Sequence, residues 1–557
     1  MSWPPPGVDR TLNEKLPGVF ADAERAEQRI LTIGRDIYVL TDENDRRVSA
    51  SLSVADLLPK AEALITAAHQ VKQPTYAAIA SMLRGIILLE MDRAEDALSG
   101  LNVARADWAG ASGPDGPASR SAPERVINVQ FLELIARAQM ALKDPRAISK
   151  TCGEAIEEIE RDRYKTNIPY LQSAFLKDRA SLYGLGVYAA FQLGEYETML
   201  ERAELSKARA TLRRLGDLPP DQPPKDQLQQ QFQEVCRQID VAGSTSPKEI
   251  PESLLVKRRI FWDLLMIWRA QANTSRGFPA FRLDAVKAAL DDDEAVVYYY
   301  WLGKINLLII GIDRHEVIVL KSVMSDEKRA ALEEFANFVS SLKQGQAHKH
   351  LDTVQRFSSL LLPDALKPIL GTKKKRVIIS PHRLLHAYPF HALQWDGDYV
   401  IRRFAVSYTP NLSGLLMTHA PTSSRSVLAL GIKDFVPKGR LEPLKDAERE
   451  VDGLDTIYRE RGVPVDVLKG PEATKPCLQR WGTEGKLEHY RLLHFATHGA
   501  NIAGDNPMES YLSLQDAQLD GLEITDWRLN ADLVVLSACC SGQRAIAGRG
   551  LTEAAGR

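Results

Sequence analysis

The chain has few cysteines, and they follow no pattern. Cys152, Cys236, Cys477, Cys539 and Cys540 are the only five in 557 residues, an odd and scattered set without a C-x-x-C pair. That argues against a disulfide framework and against a zinc knuckle. No apolar run approaches the roughly 18 residues of a membrane span, and the opening MSWPPPGVDRTLNEKLP has no apolar signal core. The expected compartment is therefore reducing and intracellular, the cytoplasm. Net charge is only −2, which excludes nucleic-acid binding through bulk positive charge. The basic run Lys373-Lys374-Lys375-Arg376 is short and directly precedes an apolar strand, so it reads as a solvated turn. At 44% hydrophobic and 26% charged residues the composition is that of a globular chain, and the length calls for more than one domain.

What is present in the first half is helical. From about residue 21 to 214 the chain is rich in Ala, Leu, Glu and Arg, with apolar residues at a 3.6 period. Gly85, Ala97, Leu101 and Ala104 give the small, small, large, small spacing of a tetratricopeptide helix pair. Ala136, Ile148, Cys152 and Ala155 repeat it, and a looser copy starts at Gly186. The anchors lie 51 and 50 residues apart, longer than the usual period of about 34. The expectation is an elongated helical-hairpin array with Cys152 in its core. LGDLPPDQPPKDQ (215–227) and GSTSPKEIP (243–251) then punctuate the chain, with helical stretches between and after them that suit a stalk.

From about residue 283 the period changes. AVVYYYWLGKINLLIIGID and EVIVLKSV start a new domain in hairpin fashion. Short apolar strands follow at 376–380, 426–432, 463–468, 490–496 and 531–538, several separated by helical segments such as 446–462. Such alternation predicts a mostly parallel sheet covered on both faces, with reactive groups at the carboxyl ends of its strands.

Two of those ends carry chemistry. RLLHFATHGANI (491–502) places His494 and His498 four apart, in a chain with only 11 histidines. Helix or strand would put both on one face, so spacing alone does not separate a metal pair from a catalytic base. Cys539 follows LVVLSA at the end of another strand. Neighbouring parallel strands would bring His498 and Cys539 to one edge, supplying a base and a nucleophile. Gly499 lets backbone approach a substrate, and its N–H can donate to an oxyanion. Because a strand alternates, only one of Cys539 and Cys540 can face the histidine. His382, His386 and His391 mimic metal-ligand spacing, but no acid or cysteine is interleaved, so they read as turn histidines. Asp516 reads as a hairpin-turn aspartate.

LLHFATHG and LVVLSACCSG together resemble the CHAT family, caspase-like cysteine protease domains found with tetratricopeptide arrays. VIISPHRLLHAYPFHALQWDGDYVIRRFAVSYTPNLSGLL, LKDAEREVDGL and LKGPEATKPCLQRW fit as well, and ERAELSKARATLRRL resembles the helix that often closes the helical half. The resemblance implies an α plus α/β chain: a tetratricopeptide-like array at 1–214, a helical linker at 215–282 and a caspase-like domain at 283–557. It implies His498 as base and Cys539 as nucleophile, with the backbone N–H groups of Gly499 and Cys539 as oxyanion hole. His494 then packs or hydrogen-bonds behind the site, so the histidines are not a metal pair. Neither metal nor cofactor is called for.

Ser537, two residues before Cys539, falls where the resemblance implies the floor of the substrate pocket. A neutral hydroxyl there imposes no basic preference, so charge selection must come from elsewhere. Family members continue with further strands after the cysteine, whereas this chain stops at Arg557, so the domain is expected to be C-terminally truncated rather than self-cleaved. Two function classes follow. One is a cysteine endopeptidase that takes a protein or peptide substrate and is regulated by a protein partner on its array. The other is an inert interaction scaffold. No direct nucleic-acid or membrane contact is expected.

Overall fold

The computed structural model describes residues 54–70, 74–111, 122–165, 180–207, 226–245, 251–272, 281–303, 305–341, 357–416, 424–436, 441–500, 510–524 and 527–538. Most of the proline-rich 215–227 and both Cys539 and Cys540 lie outside them. The chain divides into two compact units, Met1–Tyr164 with Ser181–Met199, and Lys165–Ala180 with Leu200–Arg557.

The first unit is helical: α1 (Val54–Gln70), α2 (Pro74–Glu90), α3 (Ala94–Ala111), α4 (Ala122–Ala141), α5 (Pro145–Lys165), α6 (Ala180–Leu193) and the start of α7 (Tyr196–Ser206). The pairs α2/α3, α4/α5 and α6/α7 are joined by one turn used three times. A left-handed residue stands at Asp92, Lys143 and Gly194. The next residue's N–H reaches back to Leu88, Gln139 and Ala190 carbonyls at 2.9, 3.1 and 2.9 Å. This bonding satisfies the last carbonyls of the leading helix and reverses the chain. Successive turns lie 51 positions apart, so the period is constant. The third anchor is thus Val187 rather than Gly186. Counted from it, Met199 and Ala203 match Ile148 and Cys152, and all four are buried. Gly85 shows why one anchor is small: a Cβ there would lie 2.7 Å from Leu101 Cδ2 on the facing helix.

The second unit holds α8 (Asp226–Thr245), α9 (Glu252–Ala272) and α10 (Leu283–Ala289), then strands β1 (Glu294–Leu302), β2 (Asn306–Ile312) and β3 (Val317–Val323). After α11 (Asp326–Ser341) come β4 (Arg376–Ser380), β5 (Gln394–Trp395), β6 (Asp398–Tyr399) and β7 (Ala405–Tyr408). The described strands form more than one sheet. The first has the order β3-β2-β1-β4-β7 and is mixed. The short 303–305 connection forces β1 and β2 antiparallel, whereas β1, β4 and β7 run parallel. From Ala295 to Leu302 every residue of β1 is buried, which is why its sequence is continuously apolar rather than alternating.

The segment read as closing the helical half is anchored in this sheet domain. Glu204, buried, accepts the N–H groups of Leu412 and Ser413 at 3.0 and 2.8 Å. Lys207, buried, donates to Ser380 Oγ at 3.0 Å and stacks over the Tyr298 ring at 3.7 Å.

The other large sheet is all parallel, β14-β10-β8-β9. Its strands are β8 (Ser426–Gly431), β9 (Val465–Lys469), β10 (Tyr490–Ala496) and β14 (Leu533–Ser537). Helix α12 (Ala447–Arg459) covers one face, where Val427, Ala429 and Ala496 meet Ala447 and Val451. Helix α13 (Lys475–Thr483) covers the other, where Leu428, Leu430, Leu493 and Phe495 cluster with Leu478. A small antiparallel sheet, β11 (Gly499–Ala500), β12 (Tyr511–Ser513) and β13 (Gln518–Asp520), leaves the carboxyl end of β10. Among the described residues no helix is long and apolar enough to cross a membrane.

Candidate active site

The strand LLHFA ends where its sequence stops alternating. Leu493 and Phe495 point to the α13 face, and His494 and Ala496 point to the α12 face. Strand β10 pairs in parallel with β14, Ala496 opposite Ser537, and the Thr497 N–H donates to the Ser537 carbonyl at 3.2 Å. The two strand ends therefore share one edge. His498 stands two residues beyond Ala496, and Cys539 two residues beyond Ser537 in sequence. Cys539 lies outside the described residues.

His498 is held from two directions. Its carbonyl accepts the Ser513 N–H at 2.8 Å, and Thr497 Oγ1 donates to the Ser513 carbonyl, so the β12 strand pins the loop. The imidazole, half-buried with the Phe435 ring centroid 5.2 Å away, places Nε2 2.7 Å from the Glu442 carbonyl. A carbonyl only accepts, so Nε2 carries the hydrogen, and in the matching neutral tautomer Nδ1 keeps its lone pair. This is the arrangement of a general base oriented by a backbone group. The Gly499 and Leu512 pair is of the non-hydrogen-bonded type, because the Ser513 to His498 bond brackets it. The Gly499 N–H therefore points away from β12.

His494 sits behind this edge. It is 6% exposed, and its Nε2 lies 2.9 Å from Glu450 Oε1 on α12. Ser537 Oγ donates to the other oxygen, Oε2, at 3.2 Å. One carboxylate thus joins both strand ends to the covering helix. Gly431, at the carboxyl end of β8, lets α12 begin there: a Cβ would lie 2.7 Å from the Ala447 carbonyl oxygen and 2.8 Å from Val451 Cγ2. Gly431→Val should lift the first turn of α12, costing about 1–3 kcal/mol and breaking the Glu450 bridge. Urea unfolding checks the first effect. An unchanged midpoint would mean that the helix gives way freely.

The other candidates hold structural places. His382 is buried, accepts the Trp301 N–H at Nδ1 (2.8 Å) and stacks on Tyr300. Burial, then the charge of Arg383, holds its pKa well below the usual histidine value. His391 Nδ1 bonds Tyr408 Oη at 3.1 Å. Asp516 accepts the Lys475 N–H at 2.9 Å and so satisfies the start of α13. The solvated-turn reading of 373–376 fails at Lys374, whose side chain is 8% exposed and pairs with Asp313 at 3.0 Å. Two site groups escaped the sequence. The Glu442 carbonyl has no side-chain signal at all. Glu450 stands inside DAEREVDGL among other acids, marked only by its place on the first turn of the helix after β8.

Residues 351–556 match the CHAT domain. The match spans β4 to β14, and with it the edge where His498 stands, and leaves β1 to β3 outside. The CHAT domain is related to the caspase-like proteases. A search of curated proteins finds no match to this chain. Within the matched stretch, Ser537 and His498 stand at the carboxyl ends of adjoining parallel strands. That edge is where doubly covered sheets collect their reactive groups.

Proposed function

We propose that the chain is a caspase-like cysteine endopeptidase acting through His498 and Cys539. The observation that carries this reading is the pairing of β10 with β14, Ala496 opposite Ser537, with His498 turned by the Glu442 carbonyl so that Nδ1 is the free base. His498 Nδ1 takes the thiol proton, and the Cys539 sulfur attacks the peptide carbonyl carbon. The N–H groups of Gly499 and Cys539 hold the oxyanion. Collapse expels the amine, which takes the proton back from His498. Water, deprotonated by the same ring, then hydrolyses the thioester. The test is turnover of a peptide library by the chain. Turnover by the intact protein and none by His498→Ala supports the reading. Equal turnover by both would remove it.

The helical repeats serve as the control surface, because stacked helix pairs offer a groove to an extended peptide or a partner protein. In this reading 1–214 is the repeat array, 215–282 the linker and 283–557 the protease domain, working in the cytoplasm. A deletion meant to test it should stop before α7, since Glu204 and Lys207 are built into the sheet domain. Removing residues 1–194 should change the cleavage rate or its dependence on a partner. Identical, partner-independent cleavage by both forms would count against regulation.

A further inference from the structure

Ser537 is exposed, neutral and two residues before Cys539, yet it is bonded to a carboxylate. We propose that Glu450 is the specificity-determining residue of this site and selects a substrate with a lysine or arginine side chain next to the cut, an inference that rests on the peptidase reading above.

Glu450 lies on the first turn of α12, over the face that carries His494, Ala496 and Ser537. Its side chain remains 42% exposed although both oxygens are engaged. Each carboxylate oxygen has two lone pairs, and one bond to His494 and one to Ser537 leave acceptor capacity open to solvent. An acceptor-only group with open lone pairs is matched by a cationic N–H donor. Two cations on and beside α12 are engaged with other acids. Arg449 pairs with Asp446 at 2.8 Å and Lys469 with Asp452 at 2.5 Å.

Glu450 stands at the end of β14, where its Oε2 accepts from Ser537, two positions before the proposed nucleophile in sequence. A peptide taken by that nucleophile passes this strand end, and the long stem of a lysine or arginine side chain can carry its cation to the open carboxylate. Ser537 and His494 fix the rotamer of the carboxylate, which is the positioning a selective contact needs.

The experiment labels the intact chain with thiol-directed peptidyl acyloxymethyl ketones that differ only in the side chain next to the reactive group: arginine, leucine or aspartate. The expected arginine-to-leucine rate ratio is on the order of 10 to 100, since partial exposure screens the pair. It should collapse towards unity in Glu450→Gln and persist in Glu450→Asp. In Glu450→Lys the aspartyl probe should become the fastest. A circular-dichroism melt of each variant checks folding, and Glu450→Asp keeps the test open where Glu450→Gln is damaged. A leucyl or aspartyl preference in the unmutated chain, or a ratio unmoved by Glu450→Gln, would overturn the proposal while leaving the peptidase reading intact. Failure of every probe to label Cys539 would instead remove the peptidase reading, and the proposal with it.

Discussion

Replacing Cys539 by alanine is expected to lower peptide cleavage by about a thousand-fold or more, as removal of a covalent nucleophile does. Cys540→Ala should stay within a few-fold of the unmutated chain. The difference follows from the sheet. Strand β14 alternates, and Ser537 is the residue that faces α12 and Glu450. Cys539 stands two positions beyond Ser537 in sequence and Cys540 three, and only a two-position step keeps the parity of an alternating strand. His498→Ala should fall nearly as far as Cys539→Ala, and the double variant no further than either, since the two act as a unit. Reversed behaviour of the two cysteine variants in a steady-state assay would mean that the strand register is off by one.

Arg258→Ala is expected to be the most damaging single change to stability. Arg258, on α9, pairs with Asp520 of β13 at 2.6 Å, and the side chains are 11% and 6% exposed. Asp520 also accepts the Glu523 N–H at 3.1 Å, and Glu523 pairs with Lys475 at 2.8 Å, both buried. Removing the guanidinium leaves a buried carboxylate without its cation, which costs about 3–5 kcal/mol. Nearby Cys236 shows how dry this corner is: burial above all, then the charges of Glu523 and Asp520, pushes its thiol up. The loss should also reach the site, because β13 pairs with β12, and β12 holds the His498 carbonyl. Urea titration checks the size of the effect. The paired change Arg258→Met with Asp520→Leu should recover most of the loss, since no charge is then left buried. A cost under 1 kcal/mol for Arg258→Ala would mean that water reaches Asp520.

Much of this was legible in the sequence because it is local. β4 and β10 begin and end where their apolar runs do, since each is buried among neighbours and bounded by turn residues. The adjoining ends of β10 and β14 follow from two strands of one parallel sheet, each with a reactive residue just past its end. The helical anchors were legible too, though the Val187 register needed the turn at Gly194 to fix it. What escaped was long-range or backbone. Arg258 and Asp520 are 262 positions apart, and no local pattern couples them. The carbonyl that orients His498 belongs to a residue whose side chain plays no part in the contact. Lys374 looked like one of four exposed cations, and only the fold shows Asp313 beside it. Glu450 is one acid among several in its helix. Its bridge to His494 and Ser537 depends on Gly431, which lets that helix start against the sheet.

The most direct measurement of the central claim is adduct mapping. The intact chain is treated with a thiol-directed peptide probe, digested, and the modified cysteine located by mass spectrometry, beside His498→Ala under the same conditions. One adduct is expected, on Cys539, forming at least about a hundred-fold more slowly in His498→Ala. An adduct on Cys540 or Cys477, or labelling of Cys539 at the same rate in His498→Ala, would contradict it.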